Sequence, residues 1–357
     1  MITPMRAKLL VRTIALFSFF LSCEDNPDPS GTVLDWRNLN LAEEWQQGSQ
    51  NAIGINTDKL SAGINDLKKL TNFYSIATIY KGRLVSEEYK HGDSSTIYPI
   101  WSVTKSIMSS LVGIAIDKNI MADEFQSFES FYPNITDSLK GKITVAQLLT
   151  MSSGITDDIS YPLQAYPLQY IINKNLLYPS GTYWNYSSAG THVLSYLLTA
   201  STNESANSFA KTYLFPKLGI TDYSWPDDAH GVSNGGFGLH MKLRDLAKFG
   251  QLYLQNGKSD GVEIISASWI NKSSDMIIPF NVNKTDGYGY LWWIRKINGE
   301  KMHFAAGYGG QNIMIIPSRA LVVAVTSSSQ HSDTYIQTLN HILFQKIISS
   351  FSVVFQS

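Results

Sequence analysis

The sequence predicts an α+β fold: one antiparallel sheet built from both ends of the chain, flanked by helices, with a mainly helical lobe inserted at about 120–285. Three observations lead there. Runs rich in β-formers occur near the start, in "FYSIATIYKGRLVSEEYKHG", and again late, in "GYGYLWWIRKINGEKMHFAAG" and "QNIMIIPSRALVVAVTSS". Between them lies a long stretch with helical spacing of apolar residues. An amphipathic helical pattern also closes each end of the folded region. With 357 residues, 44% hydrophobic and 16% charged, the chain can bury a large core.

The amino terminus carries Arg6, Lys8 and Arg12 ahead of an apolar run from Leu9 to Leu21. That run is too short for the ~20 residues of a transmembrane helix and suits a signal peptide over 1–22. Cys23 is the only cysteine, so no disulfide can form within the chain, and "FLSC" is similar to the lipobox of bacterial lipoproteins. The expectation is a lipidated Cys23 and a tether within residues 23–55, with ordinary cleavage near Ser22 as the alternative. The protein would then be exported to a bacterial cell envelope, touching the membrane only through that lipid.

The domain is expected over 56–357. "TDKLSAGINDLKKL" places Leu60, Ile64, Leu67 and Leu70 on one helical face. Lys81-Gly82 separates two β-rich runs as a hairpin turn, and Asn298-Gly299 is the strongest hairpin signal in the chain. Helical patterns follow in "TVAQLLTMSSG", "AGTHVLSYLLTAS", "ESANSFAKTYLF" and "KLRDLAKFGQLYLQNG", the last stopped by Asn256-Gly257. Two strands flank Pro317-Ser318, and "DTYIQTLNHILFQKIIS" closes the chain as an amphipathic helix. No internal repeat is present.

The chemistry concentrates at "YPIWSVTKSIMSSLVGIAIDKNI". Ser102 and Lys105 are three residues apart, hence on one helical face, at the start of a helix that Ile107, Met108, Leu111, Val112 and Ile114 make apolar nearly all round. A lysine at the edge of such a core is desolvated, and its neutral amine can take a proton from a serine hydroxyl. Ser208 and Lys211 repeat the spacing without the aromatic lead-in or the apolar continuation, as the polar side of a surface helix. In "YPSGTYWNYSSAGTHVLSYLL", Tyr186 and Ser188 lie on the loop before a helix restarting near Ala189, and Tyr186 can serve as acid or base. Tyr183–Asn185 has similar spacing and is the second choice; a buried aromatic cluster is the purely structural account. In "HFAAGYGGQNIMIIP", the glycines at the start of a strand permit close backbone approach to a ligand, or mark a bulge or hairpin loop.

Serine–lysine, tyrosine-x-polar and a glycine-rich edge, in that chain order, resemble the serine β-lactamase and penicillin-binding protein family, in its class C-like branch of esterases, D-amino acid peptidases and 6-aminohexanoate-dimer hydrolases. The likeness runs from about residue 56 to the end. It implies the β-lactamase/D,D-peptidase-like fold, with Ser102 as the acylated nucleophile, Lys105 as its base and Tyr186 as the proton shuttle. Ser188 stands where the family often has asparagine. The match of Tyr308-Gly309-Gly310-Gln311 to the family's strand motif implies an oxyanion hole from the backbone N–H groups of Ser102 and Gln311. That motif usually reads Lys-Thr-Gly, whose cation helps to hold a substrate carboxylate; here it carries no charge. Small esters or amides, possible peptidoglycan fragments among them, are therefore favoured over efficient β-lactam hydrolysis. Tyr183, Trp184, Trp292 and Trp293 are expected to wall the pocket.

The net charge of −1, from 28 basic and 29 acidic residues, gives no footprint for nucleic-acid binding. No metal or other cofactor is implied: His240 and His303 lack metal-ligand spacing, and the glycine clusters lack the strand–turn–helix setting of a dinucleotide fingerprint. The rival from another class is a sensor on the same fold that is acylated or binds without turnover.

Overall fold

The computed structural model describes residues 34–354. The expected signal peptide, Cys23 and the first part of the tether lie outside them. Residues 34–55, the N-terminal segment ahead of the domain, pack onto it. Trp36, Leu41 and Trp45 are buried, and their apolar area pulls the segment down. The Gln251 side chain donates to the Trp36 carbonyl at 2.9 Å, and Leu84 N–H donates to the Gln46 carbonyl at 2.9 Å.

The sheet has eight strands: β1 (Phe73–Tyr80), β2 (Arg83–Tyr89), β3 (Ile278–Pro279), β4 (Asp286–Tyr288), β5 (Trp293–Ile297), β6 (Glu300–Gly307), β7 (Gln311–Ile316) and β8 (Leu321–Ser327). Their order across the sheet is β2-β1-β8-β7-β6-β5-β4-β3, antiparallel throughout. Strands from the two chain ends thus meet at the β1–β8 pair, where Ala77 faces Ala324. Lys81 and Gly82, and Asn298 and Gly299, all adopt positive φ, the geometry that two-residue hairpin turns require. These are the sheet and turns the sequence predicts.

Five helices position the rest: α1 (Thr57–Lys69), α2 (Thr104–Asp117), α3 (Ser188–Thr202), α4 (Leu243–Leu254) and α5 (Asp333–Ile342). Leu60, Ile64 and Leu67 of α1 join Leu339, Leu343 and Ile347 of the C-terminal helix in one core that also takes Met314, Val323 and Val325 from the sheet. The alternate residues Ile313, Ile315, Val322 and Ala324 enter a second, larger core with α2, α3 and α4. This division follows the two-residue period of strands. Every residue of α2 from Thr104 to Ala115 is buried, so the helix behind Ser102 is the central one, as its all-round apolar character predicts.

Candidate active site

Ser102 lies in a 3-10 turn, Trp101–Val103, that runs directly into α2. Trp101 holds φ at +50°, a left-handed conformation that costs a bulky residue energy and is tolerated where surrounding structure enforces it. The enforcement is visible: Ile100 N–H donates to the Leu239 carbonyl, and the Trp101 ring packs on Tyr308 at 5.6 Å and Phe237 at 6.4 Å. The strain therefore sits one residue before the candidate nucleophile.

One turn on, Lys105 is 1% exposed. Its Nζ lies 2.9 Å from Ser102 Oγ, 3.1 Å from Ser188 Oγ and 2.6 Å from the Gly236 carbonyl oxygen. Burial pushes this amine down to about 7, against the pull of Asp157, whose negative charge favours the ammonium. The three contacts match the hydrogen-bonding capacity of a neutral amine. It has two N–H bonds and one lone pair. The Gly236 carbonyl can only accept, so it takes one N–H. The other N–H and the lone pair fall to the Ser188 and Ser102 hydroxyls, each of which can donate or accept; with Ser188 Oγ accepting, the lone pair meets the Ser102 hydroxyl.

Tyr186 is half-buried, and Lys105 Nζ stands 4.8 Å from the centre of its ring. Its hydroxyl shares a hydrogen bond with Ser102, and burial nevertheless pushes the phenol up to about 12. At neutral pH the phenol is therefore protonated. Trp184 and Trp293 continue from it as an aromatic wall, with Trp293 stacked on Tyr186 at 6.0 Å and Phe280 against Trp184 at 4.7 Å. Ser188 opens α3 behind the Ser187 cap, so helix packing holds its hydroxyl.

Four expectations change. The Gln311 backbone pairs with Gly307 across the β6–β7 hairpin, and its buried side chain donates to the Ser327 carbonyl at 2.6 Å and accepts from Ser327 N–H at 3.0 Å, so neighbouring strands hold it. Gly309 and Gly310, at φ +85° and +98°, form the hairpin turn between β6 and β7 and pack against Ser328 and Leu339, toward the C-terminal helix. The backbone that meets the Ser102 turn is three residues earlier: a Cβ on Gly307 would stand 2.4 Å from the Ile100 carbonyl oxygen, and Tyr308 meets the Trp101 ring edge-on. The uncharged strand end is therefore Ala305-Ala306-Gly307. Trp292 is not a pocket wall but fully buried with Phe249 and Tyr253. Tyr183 is 62% exposed and packs on Tyr178, away from the Tyr186–Trp293 stack.

Among the described residues, no hydrogen bond or ring contact joins the remaining candidates to Ser102 or Lys105. His303 is buried beside Trp292 and Tyr253. His240 sits in a short ribbon opposite Pro99, its Nδ1 near the Gly238 carbonyl. Ser208 and Lys211 occupy a surface helix, where Ser208 Oγ donates to Glu204.

Sequence reasoning missed the supports. Asn234 Oδ1 accepts from Gly236 N–H at 3.0 Å, Phe237 N–H at 3.1 Å and the Tyr161 hydroxyl at 2.7 Å, which aims the Gly236 carbonyl at Lys105. Asp157 Oδ1 accepts from Ser188 N–H at 2.7 Å and Ala189 N–H at 3.1 Å. "SNGGFG" carries a local signal, an asparagine before paired glycines; Asp157 carries none.

The fold has known relatives. A 6-aminohexanoate-dimer hydrolase of Paenarthrobacter ureafaciens is 24% identical over 315 residues, 78% of this chain and 79% of that protein. A Bacillus anthracis protein provisionally named a 6-aminohexanoate-dimer hydrolase superposes with a TM-score of 0.73 at 18% identity, covering 88% of this chain and 90% of that one. A class C beta-lactamase superposes at 0.69 with 14% identity, covering 84% and 97%. These structures share the fold. The family model described as Beta-lactamase matches residues 74–345, and the chain accordingly belongs to the beta-lactamase family of serine hydrolases.

Proposed function

We propose that the protein is an exported serine hydrolase that cleaves small uncharged esters or amides through an acyl-enzyme on Ser102. The observation that carries this is the buried Lys105 Nζ within hydrogen-bond reach of Ser102 Oγ at 2.9 Å, with the Gly236 carbonyl and Ser188 Oγ as its other partners. Lys105 takes the Ser102 proton as Oγ bonds to the substrate carbonyl carbon. The resulting oxyanion is stabilised by Ser102 N–H and by backbone N–H at Gly307-Tyr308, the segment seated against the Ser102 turn. Tyr186, protonated at neutral pH, passes its proton to the leaving alcohol or amine and is reprotonated from the Lys105 ammonium. Water then attacks the acyl-enzyme along the reverse proton path and releases the acid.

Two features support uncharged substrates: Phe304 to Gly307 carries no cation to meet a carboxylate, and Trp184, Trp293 and Phe280 form an aromatic wall beside Tyr186. The similarity to a 6-aminohexanoate-dimer hydrolase supports amides within that class. The test is turnover of a short aryl ester, a small linear amide, a D-Ala-D-Ala peptide and a chromogenic cephalosporin. Ester or amide hydrolysis that vanishes in Ser102→Ala is expected; equal rates in the variant would refute the mechanism. Export and lipidation rest on the basic head, the apolar run and Cys23. Fatty-acid labelling in cells should be lost in Cys23→Ser, and an unlabelled wild type would refute the anchor.

A further inference from the structure

We infer that Asp157 is a positioning residue of the serine–lysine site, whose carboxylate clamps the backbone bearing Ser188 and holds the negative charge that faces Lys105. The inference rests on the reading of Ser102 as nucleophile and Lys105 as base.

The clamp is geometric. One oxygen of Asp157 receives both Ser188 N–H and Ala189 N–H, the first two donors of α3, and Ser188 Oγ in turn lies 3.1 Å from Lys105 Nζ. Helix capping alone does not account for it, because α3 already has a cap in Ser187, whose Oγ accepts from Gly190 N–H at 2.8 Å. Nor is Asp157 neutralised like its neighbour. Asp158 pairs with Lys174 at 2.7 Å, whereas Asp157 has no ion-pair partner among the described residues.

The other groups around Lys105 carry no charge at neutral pH. Tyr186 and Tyr161 are both held protonated by burial. His192, stacked on Tyr161 at 4.7 Å, is held neutral by burial, down to about 4. The 234–238 loop offers only the Gly236 carbonyl. Asp157 is therefore the charge that Lys105 senses.

The sign follows. A carboxylate favours the lysine ammonium, which is the form Lys105 takes as it removes the Ser102 proton. Losing the charge makes the free amine available at lower pH but weakens its capture of that proton. A structural cap would move neither quantity.

The experiment measures the rate at which a fluorophosphonate labels Ser102 across pH, in wild type, Asp157→Asn, Asp157→Glu and Asp157→Ala. In that reaction Ser102 Oγ bonds to phosphorus, fluoride leaves with the P–F pair, and Lys105 takes the proton. Melting temperatures are recorded alongside. The asparagine variant keeps an acceptor for the helix start and loses only the charge. The expected result is an acid limb moved down by about half a pH unit, discounted because Asp157 is exposed. A several-fold lower plateau should accompany it, with glutamate restoring the limb. An unmoved limb in Asp157→Asn, with any rate loss following stability, would overturn the inference. Absence of labelling in wild type at every pH would instead overturn the nucleophile assignment beneath it.

Discussion

At Lys105 one side chain joins burial, hydrogen bonding and chemistry. Full burial brings its amine down to about 7, so in water near neutrality a good share is free base, and the Gly236 and Ser188 oxygens hold it against Ser102. Arginine at this position would remain protonated. Lys105→Arg should therefore lose hydrolysis by at least about 100-fold, the scale of a general base. In wild type kcat/KM should rise with pH through about 7, because only the neutral amine accepts the serine proton; a rate that falls as pH rises through that point would contradict the assignment. The pair itself is legible in the sequence because i and i+3 contacts are local. Its supports are not, since Gly236 and Asp157 arrive from loops over fifty residues of chain away in either case. Gln311 shows the complementary limit. The string "AAGYGGQ" does not say where its strand ends, and only the hairpin reveals that β6 stops at Gly307.

At the scale of elements, the hairpins and the apolar helix α2 were readable because turn chemistry and periodicity are short-range. The strand Ile278–Pro279 was not: two residues that include proline give no alternation, and they pair only because they lie at the sheet edge. Within β6, a buried histidine links the strand to stability. His303 is 3% exposed between Trp292 and Tyr253, neither ring nitrogen has a partner among the described residues, and burial takes it down to about 3. Its folded value lies below its unfolded one of about 6.5. The unfolded chain therefore binds the extra proton first, and stability is lost as pH falls below about 6.5 toward 3. The slope for this group approaches 1.4 kcal/mol per pH unit. His303→Phe should flatten the fall in melting temperature between those values; an unchanged acid profile would remove His303 as its source.

For the whole molecule, the sheet closes between β1 and β8, so the Ser102 turn, the α3 start and the β6 end converge only when both chain ends are in place. The segment 34–55 packs beside that junction, on β2 and α4, through long-range contacts that its local sequence does not announce. What the assembled fold claims is a covalent step at one atom. The most direct test mixes the protein with an aryl ester, quenches in acid and measures intact and peptide masses. The account predicts one acyl group, on the peptide holding Ser102, at a steady-state level that follows turnover and is absent from Ser102→Ala. Product formed with no adduct on Ser102 in wild type, or an adduct that persists at another residue in Ser102→Ala, would contradict it.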